Sequence, residues 1–435
     1  MKSARFWGKA LGVVVCLIIL AGFVLLKITQ IETSAHGVHT RLLVPAGGNK
    51  SIGIQVYSGT GDKPHLPRFL DGPVVRVDQA GHWKATWFCE DRVMQRQGSA
   101  RQLDVTCAGK TRQFPVTAKV PAPRTTIPMP RKLLVLSDIE GNARFLESTL
   151  RELGVTDAHG AWTYGDGHLV IAGDSVDRGR DVFAVLWQLY GLGVAAAEQG
   201  GQVHVLLGNH DQYMLLGNTS RAHREHIHSM GRMEQDGPVF GADTVLGAWL
   251  RERPVVLRAG DVLVTHAGIS AAVAASGLSL EQMNAAMRSY WRGDAAPKAG
   301  LEAAIGSGGV TQYRGYFGAG DAGQPQASAA QIDQVLQQYG ARTIVVGHTI
   351  VDRITPLYGG RVLAIDVNTD NAASQALVFE DGQARILTLA TRRDLPDPRA
   401  GLRRRDIDLA SRDDWHMLGR FVQRSYALSR LPYPY

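Results

Sequence analysis

The alternation of apolar and polar positions changes rhythm three times along this chain. Residues 10–26 are uncharged and rich in Val, Leu and Ile, preceded by Lys2, Arg5, Trp7 and Lys9. A run of that length is at the short end of what spans a hydrocarbon core of about 30 Å. No Ala-x-Ala pattern follows closely, and the basic flank predicts a membrane anchor over 1–30 with its N-terminus inside. A cleaved signal peptide is the alternative, and both readings export the rest of the chain.

From 36 to 120 the period becomes two. Ile52–Val56, Val74–Val77, His82–Cys89 and Leu103–Cys107 read as half-buried strands separated by turn residues such as Gly59-Thr-Gly61-Asp62. This predicts a small all-β domain carrying no constellation of chemical groups. Residues 121–131 follow, with Pro121, Pro123, Pro128 and Pro130. Such proline density cannot continue a helix or a ladder, so a stiff linker is expected.

Beyond Lys132 short apolar runs alternate with helical patterns. Strands are predicted at Lys132–Leu136, His168–Ile171 and Val203–Leu207, with helices at Ala143–Leu153 and Asp181–Ala197 between them. That order points to a mostly parallel α/β sheet. Further strands at Val255–Arg258, Val262–Thr265, Thr343–Val346, Arg361–Asp366, Gln375–Phe379 and Ala384–Leu389 imply a second sheet packed on the first. Met214–Phe240, with His223, His226 and His228, reads as a solvated helical insertion. Gly300–Ala330 reads as a long loop, and 391–435 as an Arg-rich tail with an amphipathic helix near Trp415–Leu428.

A formal charge of +7 over 435 residues gathers into no nucleic-acid stripe, so no nucleic-acid partner is expected. Arg403-Arg404-Arg405 lies beside Asp406 and Asp408 and reads as a partly paired surface. In the exported part only Cys89 and Cys107 remain, either as one disulfide or as two buried thiols.

The chemistry sits where strands end. Asp138-Ile-Glu140-Gly-Asn142, Gly173-Asp174-Ser-Val-Asp177-Arg178-Gly179, Gly208-Asn209-His210-Asp211, Thr265-His266-Ala-Gly268 and Gly347-His348-Thr349 each follow an apolar run. Carboxylate, amide and imidazole donors together suit divalent metals. Asp174 is the natural bridge between two ions. Asp138 and Glu140 would complete the first, and Asn209, His266 and His348 the second. His210 falls at the rim, placed to protonate a leaving oxygen, and Asp177 could orient its imidazole. Arg178 and Arg314 offer planar donor forks for a tetrahedral oxyanion.

These blocks resemble the calcineurin-like metallophosphoesterases over about 132–390, within them the phosphoprotein phosphatase type and its bacterial, Shewanella-like branch. Leu250-Arg-Glu-Arg-Pro254, Tyr313-Arg314-Gly-Tyr316-Phe317 and Val345-Val-Gly-His348-Thr349 carry the last step. The resemblance implies an αββα two-sheet sandwich, two divalent metals, and phosphate-monoester hydrolysis by in-line attack of a metal-bridging hydroxide. A serine/threonine or tyrosine phosphoprotein is the implied substrate. Hydrolysis of nucleotides or other small phosphoesters is one alternative, and a non-catalytic binding protein on the same fold is another. The chain departs from the family at Glu140, where a histidine is usual, and less importantly at Asp211. An all-oxygen first site favours Mn²⁺ or Mg²⁺ over Zn²⁺, with Fe also possible. With the anchor, these expectations place a catalytic domain at a bacterial inner membrane, facing the periplasm or cell exterior.

Overall fold

A computed structural model of the chain describes residues 16–17, 20–33, 40–46, 51–55, 69–116, 123–219, 221–317, 324–367, 374–391, 403–412, 414–415, 417–419 and 422. The chain divides into two compact units, one formed by Met1–Lys63 with Pro396–Pro434, the other by Pro64–Leu395.

In the first unit, Gln30–Thr33 pairs antiparallel with Thr40–Pro45 on one side and with Arg403–Asp406 on the other; Ser51–Gln55 completes the sheet. Ile31, Leu42, Ile407 and Met417 form its small core. Glu32 is buried and paired with Arg41 and Arg404, while Arg405 pairs with Asp414. Two of the three clustered arginines, Arg404 and Arg405, are therefore paired, through carboxylates other than their sequence neighbours, and the expected tail strand-pairs with residues near the N-terminus. The expected membrane span lies partly outside the described residues, and most of the tail helix lies outside them. Residues 20–28 are helical, and among the described residues no helix is long and apolar enough to cross a membrane.

The second unit is built on two mixed sheets. One runs in the order Gln202–Val205, His168–Ile171, Lys132–Leu136, Gln375–Glu380, Gln383–Thr388, its first three strands parallel. The other runs Thr355–Leu357, Val362–Ala364, Thr343–Val346, Val262–Thr265, Val256–Ala259, Thr126–Ile127. Side chains two apart share a face of a strand. Leu133 and Val135 thus meet Val262, Val264, Val345 and Leu363 in one buried core between the sheets. Helices such as Ala143–Glu152 and Val182–Glu198 lie in the sequence where the alternation predicts them.

Four sequence expectations need correcting. Residues 36–120 do not form one β domain: the stretch up to Lys63, with Thr40–Pro45 and Ser51–Gln55, belongs to the first unit, and the stretch from Pro64 belongs to the second. There Leu70–Val77, Trp83–Cys89 and Arg92–Gly98 form a meander and Gln102–Cys107 with Lys110–Pro115 a hairpin, joined by the Cys89–Cys107 disulfide. An apolar face on so small a sheet needs a cover. Phe114 packs edge-on against Trp187, whose indole donates to the Pro73 carbonyl at 3.0 Å.

The histidine-bearing insertion is not solvated. Helix Arg224–Met233 buries His226, Ser229, Met230 and Met233, a spacing of three, four and seven that marks one helical face. His226 Nδ1 lies 2.7 Å from Asp71 Oδ2, which also accepts from the Ser229 hydroxyl. The linker, where described, is no free spacer, since Thr126–Ile127 pairs parallel with Arg258–Ala259 as an edge strand. The long loop at 300–330 is shortened by the helices Lys298–Ile305 and Ala329–Tyr339.

Candidate active site

Parallel pairing brings the chemistry together. Lys132–Leu136, His168–Ile171 and Gln202–Val205 lie side by side and run the same way, so Asp138, Asp174 and Asn209 emerge from one edge. In the other sheet Val262–Thr265 and Thr343–Val346 are parallel neighbours, which delivers His266 and His348 together. Asp138, Glu140, Asp174, Asn209, His210, His266 and His348 are all buried.

The loops after the strands are strained. Asp138, Glu140, Asp174, Asp177, Arg178 and His348 have φ of 52°, 54°, 51°, 68°, 52° and 65°, a region costly for residues with a Cβ. Interlocked backbone hydrogen bonds hold them there. Asp138 N–H donates to Gly173 O at 3.1 Å, Glu140 N–H to Asp174 O at 3.0 Å, and Gly179 N–H to Glu140 O at 2.8 Å. Glycine at 208 is dictated by close approach, because a Cβ there would sit 2.1 Å from Asp174 Oδ1. Asp211, set aside in the sequence as a minor departure, ties the turn together. Its carboxylate accepts from the N–H groups of Gly208, Asp174 and Ser175 at 2.8, 2.9 and 3.1 Å.

At the centre, lone pairs converge. His266 Nδ1 lies 2.9 Å from the Ala172 carbonyl, which can only accept, so Nδ1 carries the proton. In the neutral ring Nε2 then presents a lone pair. It faces Asp174 Oδ2 at 3.2 Å, Asn209 Oδ1 at 3.0 Å and His348 Nδ1 at 3.1 Å. Donor atoms of Asp174, His266 and His348 lie within 4.8 Å of one another, and His348 Nε2 is buried with no hydrogen-bond partner among the described residues. Such an arrangement calls for positive charge. Burial disfavours the His266 imidazolium, yet Asp174 and then Asp138 more than offset it and push the pKa up to about 10. Burial alone would raise the Asp174 carboxyl, but His266 and His210 hold it well below its usual range. These residues fit a bound cation.

The remaining expected residues surround this centre. Asp138 Oδ2 accepts from the His348 N–H at 3.1 Å and from the Ser137 hydroxyl. His210 Nδ1 lies 2.9 Å from Asp177 Oδ2, while its Nε2 is 3.9 Å from Asp174 Oδ2. Arg314 Nη1 donates to His348 O and Thr349 Oγ1, both at 3.1 Å. Glu140 has a different partner from the one expected: its Oε1 lies 2.8 Å from Arg178 Nη1.

Sequence reasoning missed Asp366, Tyr213 and Arg221. Asp366 is buried, and its charge acts on Arg314 and Arg178. It stands two positions beyond the strand Val362–Ala364, as Asp138 stands beyond Lys132–Leu136, so the strand-end rule could have found it. Tyr213 lies on the helix that carries His210, with ring centroids 5.4 Å apart.

Known proteins resemble this chain. The family model of the calcineurin-like phosphoesterases matches residues 131–352. The chain belongs to that family. Enzymes of that family hydrolyse phosphoesters and use divalent metals. A cold-active protein-tyrosine phosphatase of a psychrophilic Shewanella is similar in structure, with a TM-score of 0.65 and 30% identity over 74% of this chain and 100% of that one. Among curated proteins, a symmetrical bis(5'-nucleosyl)-tetraphosphatase of Methylococcus capsulatus is 36% identical over 101 residues, 23% of this chain and 32% of that protein. Shewanella-like protein phosphatase 1 of Plasmodium berghei is 21% identical over 229 residues, 50% of this chain and 61% of that protein. The chain thus spans less than two thirds of the curated relatives it matches.

Proposed function

We propose that the chain removes phosphate from phosphorylated proteins, with phosphotyrosine as the leading substrate class. The observation that carries the reading is the buried convergence of Asp174, Asn209, His266 and His348 lone pairs beside the His210–Asp177 pair. Asp138, Asp174, Asn209, His266 and His348 would hold two divalent cations, which when bound would supply Lewis acidity and neutralise phosphoryl charge. With Glu140 in place of a histidine two residues after Asp138, oxygen donors dominate that side, and manganese is the proposed metal. His210 Nε2 carries the proton for the leaving oxygen, and Asp177 fixes the ring through Nδ1. Arg178 and Arg314 face the substrate phosphate.

Phosphotyrosine is favoured because the similarity to the Shewanella protein-tyrosine phosphatase extends over all of that chain, against 32% of the tetraphosphatase. The second reading, nucleotide hydrolysis, draws on the 36% identity of that shorter match. Phosphotyrosine peptide, phosphoserine peptide, diadenosine tetraphosphate and a cyclic nucleotide, assayed with manganese, separate the two. The expected order puts the phosphotyrosine peptide first in kcat/KM; a dinucleotide ahead of both peptides overturns it. We further propose an anchored protein whose catalytic unit faces away from the cytoplasm. The Cys89–Cys107 disulfide supports an oxidising compartment.

A further inference from the structure

The charge around Arg178 does not add up for a phosphate site that relies on Arg178 and Arg314. Glu140 stands where the family has a neutral ring, and its carboxylate lies 2.8 Å from Arg178 Nη1. Burial works against the Arg178 guanidinium, and Glu140, then Asp366, more than offset it and hold its pKa above the usual value. A guanidinium so paired brings little net positive charge to an incoming dianion. A phosphoryl group at this centre needs a further cation.

Arg221 is placed to be that cation. Its carbonyl accepts the Arg178 N–H at 2.9 Å, which fixes the two residues side by side. The loop that carries it leaves the helix Asn209–Leu215, the same helix that presents Asn209 and His210. The residue is partly buried, and among the described residues no carboxylate lies within ion-pairing distance of its guanidinium. Burial lowers its pKa; Tyr213, Asp177 and Asp174 act against that, and the Arg178 charge adds to it. The side chain is therefore within the field of the site. A half-buried, unpaired guanidinium is costly to keep unless an anion comes to it.

We propose that Arg221 is a third phosphate-binding arginine, replacing at the substrate's phosphoryl oxygens the charge that Glu140 withdraws from Arg178. It follows that Glu140 and Arg221 are coupled although their charges never meet. Loss of Arg221 should matter more while Glu140 is present, and freeing Arg178 by removing the Glu140 charge should compensate in part.

The inference rests on the site assigned above, and the test separates the two. Inorganic phosphate serves as the probe, as competitive inhibitor and as stabiliser against thermal unfolding, in the manganese-loaded full chain. A charge-assisted hydrogen bond lost from a phosphate corresponds to about a tenfold or greater weakening. Arg221→Ala should therefore raise the inhibition constant for phosphate and KM together by about tenfold or more, with kcat changed far less. It should also shrink the rise in melting temperature that phosphate gives. Arg221→Lys should recover part of both effects, and Glu140→Gln should restore phosphate affinity in the Arg221→Ala background. If Arg178→Ala and Arg314→Ala weaken phosphate but Arg221→Ala does not, Arg221 alone loses its role. If none of the three substitutions affects phosphate, the site reading falls and the proposal with it. Should Arg221→Ala fail to fold, Arg221→Met takes its place, keeping the apolar stem.

Discussion

At the scale of single residues, His210 carries the most chemistry for its size. One nitrogen is committed to Asp177 at 2.9 Å, so the other is left to face the centre, 3.9 Å from the Asp174 carboxylate. A proton delivered from a positioned imidazole contributes roughly 10²–10⁴-fold to rate. His210→Asn should lower kcat by about that factor while leaving manganese content and melting temperature close to wild type. Asp177→Asn should act through the ring's orientation and cost less. Turnover with the phosphotyrosine peptide, beside metal analysis, checks both; an unchanged kcat in His210→Asn removes it as the acid. Residues of this kind were legible in the sequence because each lies just past an apolar run, next to glycine. Arg221 was not, because a loop carries it across the site and no spacing rule says where a loop returns. Nor was Tyr213, because it stands inside the helix Asn209–Leu215 rather than at a strand end. Glu140 was legible as a departure from the family, but its partner was not: only folding puts Arg178 within 2.8 Å of it.

At the scale of elements, the parallel strands that build the site are plain in the pattern, and the bounds of Lys132–Leu136, His168–Ile171, Val262–Thr265 and Thr343–Val346 agree with it. Burial on both faces makes such strands continuous apolar runs, which is why they read well. Shorter pieces such as Thr126–Ile127 cannot be read, because their strand character comes from the neighbour they pair with. The meander's strands at Val74–Val77 and His82–Cys89 were legible, but not their cover, which arrives from helices more than a hundred residues later. Asp71 is its clearest tie. It is buried and receives both the His226 imidazole at 2.7 Å and the Ser229 hydroxyl. Asp71→Ala would strand both groups away from water, at a cost of about 1–3 kcal/mol for each unsatisfied partner. Removing the exposed pair instead, by Asp243→Ala opposite Arg76, should cost under about 1 kcal/mol. Urea unfolding of the two variants should show that order; equal midpoints would mean that Asp71 does not pin the meander to its helix.

At the scale of the molecule, proline density suggested a boundary near 121–131, whereas the units divide between Lys63 and Pro64 and again between Leu395 and Pro396. Composition reveals where a chain is stiff, not which sheet a strand will join, and Gln30–Thr33 finds its partner in Arg403–Asp406. The sheet that carries Asp138, Asp174 and Asn209 has its own pH limit. His204 Nε2 lies 3.2 Å from His168 Nδ1 on adjacent strands, with His204 buried. Burial, reinforced by His168 and Arg253, pushes the His204 pKa from 6.5 down to about 3, and burial lowers His168 as well. Between those values the unfolded chain takes up a proton that the folded chain refuses, so stability must fall as the solution is acidified. The contribution is fully present above the unfolded value and is lost progressively as pH drops toward the folded one. One such proton corresponds to a slope of about 1.4 kcal/mol per pH unit. His204→Gln, which cannot titrate, should flatten that part of the profile between about pH 6 and 4. Urea midpoints measured across that range in both proteins would show it, and identical slopes would mean that His204 is not the group that titrates.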